Sequence, residues 1–174
     1  MDLEQSMKQL IRDIPDYPKK GIVFRDITPL LKDYALFTAC IDELAKRVKA
    51  LHADYIVGIE ARGFIVGAAL AYKLGVGFIP ARKKGKLPYD KISINYQLEY
   101  GNETIEMHKD SIERNANVLI VDDLLATGGT SLATIQLVKQ IGANVIGLAY
   151  LIELTDLNGR KRLPVDAVIS LARY

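Results

Sequence analysis

The stretch VLIVDDLLATGGTSL, Val118–Leu132, decides how the rest of the chain is read. Four apolar residues run into Asp122 and Asp123, and a loop of small residues with Gly128 and Gly129 follows. The apolar run predicts a strand covered on both faces. TSLATIQLVKQI, residues 130–141, predicts a helix stopped by Gly142. A strand, a glycine loop and a helix start together hold anions, because the loop N–H groups and the helix dipole both favour negative charge. Two carboxylates beside such a loop therefore need a reason.

The same alternation extends outward. YIVGI (55–59) is a short buried strand, EARG (60–63) its loop, and FIVGAALAYKLG (64–75) a helix ending in glycine. VGFIPA (76–81) is the next strand, and RKKGKLPYDK (82–91) a basic, mobile loop. ISINYQLEY (92–100) and TIEMHK (104–109) read as two strands joined by a Gly-Asn turn. VIGLAYLI (145–152) and AVISLA (167–172) are the last strands. Upstream, Leu3, Met7, Leu10, Ile11 and Ile14 predict an amphipathic helix over 3–14, which PDYPKKG breaks. IVFRDI is extended, Thr28-Pro29 signals a helix start, and Phe37, Ile41, Leu44, Val48 and Leu51 mark a longer helix. Buried strands alternating with helices predict an α/β fold, an open and mainly parallel twisted sheet flanked by helices. Ligands on such sheets bind beyond the C-terminal ends of the strands. That selects EARG, the basic loop and DDLLATGGT.

Composition narrows the classes. A chain of 174 residues fits one domain. Its 23 basic and 21 acidic residues are too balanced for nucleic acid as the main partner, so an anion site must be local. Cys40 is the only cysteine; it excludes a disulfide framework and falls on the apolar side of a helix. The first residues lack the apolar run of a signal peptide, and no apolar stretch is long enough to span a membrane. The expectation is a cytoplasmic protein with neither membrane nor nucleic acid as partner.

Several phosphate chemistries compete for the opening motif. A Walker B strand needs a G-x-x-x-x-G-K-[ST] loop, and KKGKLP lacks its first glycine and final hydroxyl. A dinucleotide fold needs G-x-G-x-x-G, which ATGGTS does not supply. A receiver-type acidic pair should follow the first strand, and this one follows several. The remaining reading is physical. Small residues from Ala126 to Thr130 let backbone N–H groups close on a monophosphate, with Thr127 and Thr130 as hydroxyl donors. Asp122 and Asp123 are acceptors that suit paired ribose hydroxyls. One loop thus holds both ends of a ribose 5-phosphate.

The string closely resembles the phosphoribosyl pyrophosphate (PRPP) motif of the type I phosphoribosyltransferases. Within that family the chain is most similar to the adenine-using branch, through GIVFRDITPLLKD, EARGF, RKKGKLP, LEYG, VDDLLATGGT and LIELTDLNGR in that order. The resemblance covers essentially the whole chain. It implies reaction of adenine with PRPP to give AMP and pyrophosphate, with magnesium as cofactor and a homodimer as assembly.

The same resemblance assigns expected roles. Arg62 contacts pyrophosphate. Lys83, Lys84 and Lys86 crowd a lid over it, and Lys83, Lys86 and Tyr100 are candidates to reach a neighbouring subunit's site. Glu99, in LEYG, matches the carboxylate that handles the base proton. Enzymes for 6-oxopurines use an acid at the start of the loop, where this chain has Ala126. Val23, Phe24 and Arg25 match the base-reading segment, with Phe24 stacking on the purine. PRPP, and AMP as product, falls to Asp122, Asp123, Ala126, Thr127, Gly128, Gly129 and Thr130, with Asp122 and Asp123 meeting magnesium directly or through water. Residues 1 to about 34 form a hood, and residues 35–174 the core, with a flexible loop and hairpin at about 82–109. The alternatives are another base, such as xanthine or hypoxanthine, or a nucleotide-sensing regulator, for which the chain has no added basic segment.

Overall fold

The computed structural model describes residues 2–98 and 101–174. Its main sheet has seven strands. In chain order these are β3 (Tyr55–Ile59), β4 (Gly77–Lys83), β5 (Lys91–Leu98), β6 (Gly101–His108), β7 (Asn117–Leu125), β8 (Asn144–Glu153) and β9 (Val168–Arg173). Their spatial order is β5-β6-β4-β3-β7-β8-β9. The five strands from β4 to β9 are parallel, while β5 and β6 form an antiparallel hairpin on the β4 edge. The α/β expectation therefore holds.

Each face of the sheet has its own core. Along β7, Leu119 and Val121 point to one face and Val118 and Ile120 to the other, all four fully buried. This is the period-two geometry of a strand covered on both sides. Three long helices bury the first face: α1 (Leu3–Leu10), α3 (Tyr34–Val48) and α4 (Arg62–Leu74), with the short α2 (Thr28–Lys32) beside them. On the second face the helical contribution comes from α5 (Gly129–Ile141) through Ala133, Ile135, Leu137 and Val138. Cys40 lies in the first core as expected, and burial pushes its thiol up to about 12. Gly75 and Gly142 end α4 and α5 in the left-handed conformation, as glycine stops do.

Four expectations shift. The first helix stops at Leu10, and β1 (Arg12–Pro15) pairs antiparallel with β2 (Val23–Asp26). Pairing with β2 outweighs the helical spacing of Ile11 and Ile14. β4 runs on into the basic segment, because Arg82 and Lys83 pair with Glu106 and Ile105 of β6. The hairpin register puts Gly101 opposite Leu98 and Asn102 opposite Gln97, so both belong to the strand rather than the turn. Finally, β7 carries Asp122 and Asp123 inside the strand, with Asp122 opposite Tyr150 of β8.

β3 is followed in sequence by its neighbour on one side, β4, while β7 lies on the other side. The order in which strands are added reverses between β3 and β7, which is where an open sheet leaves a crevice at its C-terminal edge. Gly63 makes the junction close: a Cβ there would lie 2.7 Å from Asp122 Oδ1 and 2.9 Å from the Val121 carbonyl oxygen.

Candidate active site

Two cavities meet at that crevice and share Arg62 and Leu124. The first, about 510 Å³, lies under the β1–β2 hairpin, against Phe24, Leu124, Ala126, Leu154, Leu157 and Tyr174. The second, about 360 Å³, is polar and is lined by Lys83, Tyr96, Glu103, Asp122, Asp123 and Thr130. A larger cavity of about 600 Å³ sits at the opposite end of the strands, against Lys46, His52 and Lys73. None of the site residues expected from the sequence lines it, so size does not locate the site.

Arg62 opens α4 and spans the two cavities. Its Nε lies 2.9 Å from Asp123 Oδ2, and its guanidinium sits 4.8 Å from the centre of the Phe24 ring. The ion pair is not a well-aimed hydrogen bond, since that buried Asp123 oxygen accepts none. Asp122 Oδ1 accepts the Asp123 N–H at 2.9 Å. Burial, then the neighbouring Asp123 charge, pushes Asp122 well above the usual carboxylate range. Burial also raises Asp123, with Arg62 opposing it. Two desolvated carboxylates side by side form a strong local demand for positive charge or hydroxyl donors. Among the described residues no three His, Cys, Asp or Glu side chains come together as a metal site. The two carboxylates present are oxygen donors of the kind hard cations take.

The loop ahead of α5 is built as its sequence demands. Gly128 adopts φ +81° as the N-cap, a conformation that favours glycine, and Gly129 starts the helix. Ala126 and Thr127 face the first cavity and Thr130 the second. The Thr130 hydroxyl donates to the Tyr96 hydroxyl oxygen at 3.2 Å, and Tyr96 in turn donates to Glu103 Oε2 at 3.1 Å. Burial, ahead of its hydrogen bonds, pushes the Tyr96 hydroxyl up to about 12, which keeps it a neutral donor.

The three residues of the segment matched to base reading lie together. Val23, Phe24 and Arg25 lie on β2 and line the first cavity. Tyr17 packs edge-on against Phe24 at 5.3 Å. Arg25 pairs with Asp13, and its guanidinium lies 4.1 Å from the centre of the Tyr174 ring. On the other side, Lys83 Nζ reaches Glu103 Oε1 at 3.3 Å in the polar cavity. Lys86 lines neither cavity; its N–H bonds to the Lys83 carbonyl in the turn. Glu60 shapes the loop: it accepts the Lys83 N–H at 2.9 Å and faces Arg82 at 3.3 Å. Burial would raise Glu60, but those two partners outweigh it and lower its pKa. Glu99 and Tyr100 lie outside the described residues.

Sequence reasoning missed Tyr96, Glu103 and Tyr174. The first two were within reach of it: Tyr96 shares the alternation of Ile92 and Ile94, and Glu103 is its partner across the hairpin. Tyr174 carries no local signal, because its contact with Arg25 spans the chain.

Comparison with known proteins agrees with this geometry. A family model described as a phosphoribosyl transferase domain matches residues 28–171. An adenine phosphoribosyltransferase from Thermotoga neapolitana is 60% identical over 168 residues, 97% of this chain and 99% of that protein. The crystal structure of adenine phosphoribosyltransferase from Thermoanaerobacter pseudethanolicus superposes with a TM-score of 0.95 at 51% identity, covering 98% of this chain and 99% of that one. The Saccharomyces cerevisiae enzyme, solved with an imino-altritol bisphosphate and adenine, gives 0.91 at 40% identity, covering 97% and 98%. With its crevice, its paired aspartates and its glycine loop in this register, the chain belongs to the phosphoribosyltransferase family, in the branch of the adenine phosphoribosyltransferases.

Proposed function

We propose that the protein transfers the 5-phosphoribosyl group of PRPP to adenine, giving AMP and pyrophosphate in purine salvage. The observation that carries this is the pairing of an apolar cavity under Phe24 with a polar one holding Asp122, Asp123 and Thr130, joined through Arg62. A base occupies the first, under Phe24, and the phosphorylated sugar runs from the second to the glycine loop, which borders both. The loop from Ala126 to Thr130 takes the 5-phosphate on its N–H groups, and the aspartates accept from the ribose hydroxyls.

In the reaction the bond from the sugar carbon to pyrophosphate breaks and a bond to the adenine nitrogen forms. The leaving group keeps the electron pair, so positive charge near it lowers the barrier. Arg62 and Lys83 supply that charge, Arg62 being held in place beforehand by Asp123. Asp122 and Asp123 would meet a magnesium ion directly or through water, and such an ion would supply further positive charge against the phosphates. The proton leaving the base passes to Glu99. Lys83, Lys84, Lys86 and Tyr100 belong to a lid that excludes water from the activated sugar. Phe24 stacks on the purine within a hood made of residues 1–34, on a single domain. Ala126 offers no carboxylate to a 6-oxopurine, which favours adenine over hypoxanthine or xanthine.

A homodimer in the cytoplasm completes the reading. The solvent face of α4 supports the dimer, since Ile65 and Tyr72, two turns apart, are 46% and 92% exposed. The single, buried, unpaired cysteine suits a reducing compartment. The deciding assay supplies magnesium and PRPP, offers adenine, hypoxanthine, guanine, xanthine and orotate separately, and follows pyrophosphate release. Adenine should be the best substrate by a wide margin; any other ranking refutes the proposal.

A further inference from the structure

Of the LTDLNGR segment that follows β8, Leu154 and Leu157 line the first cavity. The segment also presses on the glycine loop from behind. Gly159 is buried, and a Cβ there would lie 2.1 Å from the Ala126 carbonyl oxygen and 3.0 Å from the Ala126 and Thr127 carbonyl carbons. Three residues on, Arg162 Nη1 donates to the Thr127 carbonyl oxygen at 3.0 Å. Two successive loop carbonyls thus face this segment. The peptides that carry them are trans. In a trans peptide the C=O and N–H point in opposite directions. The N–H groups of Thr127 and Gly128 therefore point away from the segment, toward the open side of the loop.

The segment itself is fastened to the sheet. Arg160 Nε donates to Glu153 Oε1 at 2.8 Å, and a second guanidinium nitrogen pairs with Glu153 Oε2. Ser170 of β9 donates to the same carboxylate at 2.6 Å. Glu153 is 5% exposed and ends β8, so the anchor belongs to the core rather than the surface. Leu163, just beyond, packs into the second core.

We propose that Gly159 and Arg162 are positioning residues that aim the Thr127 and Gly128 N–H donors at the substrate's 5-phosphate. The proposal rests on the reading that Ala126–Thr130 holds that phosphate. Gly159 supplies the close approach, since any side chain would push the Ala126 peptide off its plane. Arg162 supplies the hydrogen bond that fixes the next plane. Neither residue touches the ligand.

The test compares wild type with R162A, R162K and G159A, and with T130V as a direct lesion of the loop. AMP affinity is measured by calorimetry, and KM is measured separately for PRPP and adenine. Arg162 is exposed, so R162A should weaken AMP and raise KM for PRPP about fivefold, with KM for adenine moving less than about twofold. R162K keeps a donor and should recover part of the loss. G159A should cost more than about tenfold on the same two readouts, because its clash is with backbone. R162A that binds AMP like wild type, that loses adenine as much as PRPP, or that R162K fails to improve upon, overturns the proposal. If G159A does not fold, the Arg162 pair decides alone. If T130V weakens AMP binding and R162A does not, the phosphate reading stands and the positioning role falls. If both leave AMP untouched, the two fall together.

Discussion

Replacing Gly63 with alanine tests whether the α4–β7 junction is as tight as its geometry says. An added Cβ would sit 2.7 Å from Asp122 Oδ1, 2.9 Å from the Val121 carbonyl oxygen and 3.0 Å from the Asp122 Cα. Ordinary contact begins near 3.4 Å, so these three distances fall short by 0.4 to 0.7 Å and the start of α4 must retreat. Two of the three atoms are backbone and do not swing aside. Overpacking of this kind costs about 1–3 kcal/mol. In a domain of this size each kcal/mol lowers Tm by about 2–4 °C, so a fall of about 4–8 °C is expected for a mid-range cost. Helix propensity alone predicts the opposite sign, since alanine is better than glycine in a helix by about 1 kcal/mol. The retreat also separates Arg62 from Asp123. A misplacement of about 1 Å in a reacting assembly costs on the order of a hundredfold, so kcat/KM should drop by at least about tenfold. Calorimetric melting and steady-state kinetics on G63A read both effects. A Tm equal to or above wild type with kcat/KM within twofold would refute the reasoning.

Three further perturbations probe other parts of the molecule. Glu99→Leu should lower turnover far more than PRPP affinity, and unchanged turnover would remove its role with the base proton. Glu153→Gln should lower Tm at neutral pH by an amount matching about 2 kcal/mol, the partial exposure of Arg160 discounting the full cost of breaking a buried pair. The Arg160 hydrogen bond, with burial opposing, holds the Glu153 pKa below its usual 4.5; its contribution is therefore complete above that pH and fades as pH falls through the folded value. The wild-type advantage over E153Q in melting scans should shrink below pH 4.5, and a pH-independent gap would contradict the pairing. Tyr150→Phe removes a fully buried hydroxyl that donates to Ser131 Oγ at 2.7 Å; Tm should fall by an amount matching about 1–2 kcal/mol, and an unchanged Tm would mean the bond contributes nothing net.

Buried strands were legible because both faces of the sheet are covered, so β3, β7 and β8 appear as unbroken apolar runs. Glycine stops placed the ends of α4 and α5 to the residue. Helical spacing misled over 11–14: Ile11 caps α1 and is buried in the first core, but Ile14 is only half-buried, and from Arg12 on the backbone pairs with β2 instead. Charge misled at Arg82 and Lys83, whose polarity suggested a loop although their backbones complete the β4–β6 ladder. The site divided along similar lines. Asp122, Asp123, Thr130 and Arg62 share short motifs, so their meeting could be anticipated. The contacts of Tyr96 with Thr130, Tyr174 with Arg25, and Arg162 with Thr127 join distant segments and leave no local pattern.

The two-sided core has a consequence for how the protein opens. Among the described residues the only α-helix on the second face is α5, and its first turn is also the end of the glycine loop. Any fluctuation that lifts α5 must dismantle the loop with it, and exposes Leu137 and Val138 to solvent exchange. A ligand clamped across Gly129 and Thr130 therefore protects amides throughout that helix, far from any atom it touches. On the first face several helices share the cover, so the same ligand leaves the exchange of α3 nearly as it was. Hydrogen exchange would thus see α5 respond to the substrate along its length while α3 stays silent, a division set by which face of β7 each of the two helices covers.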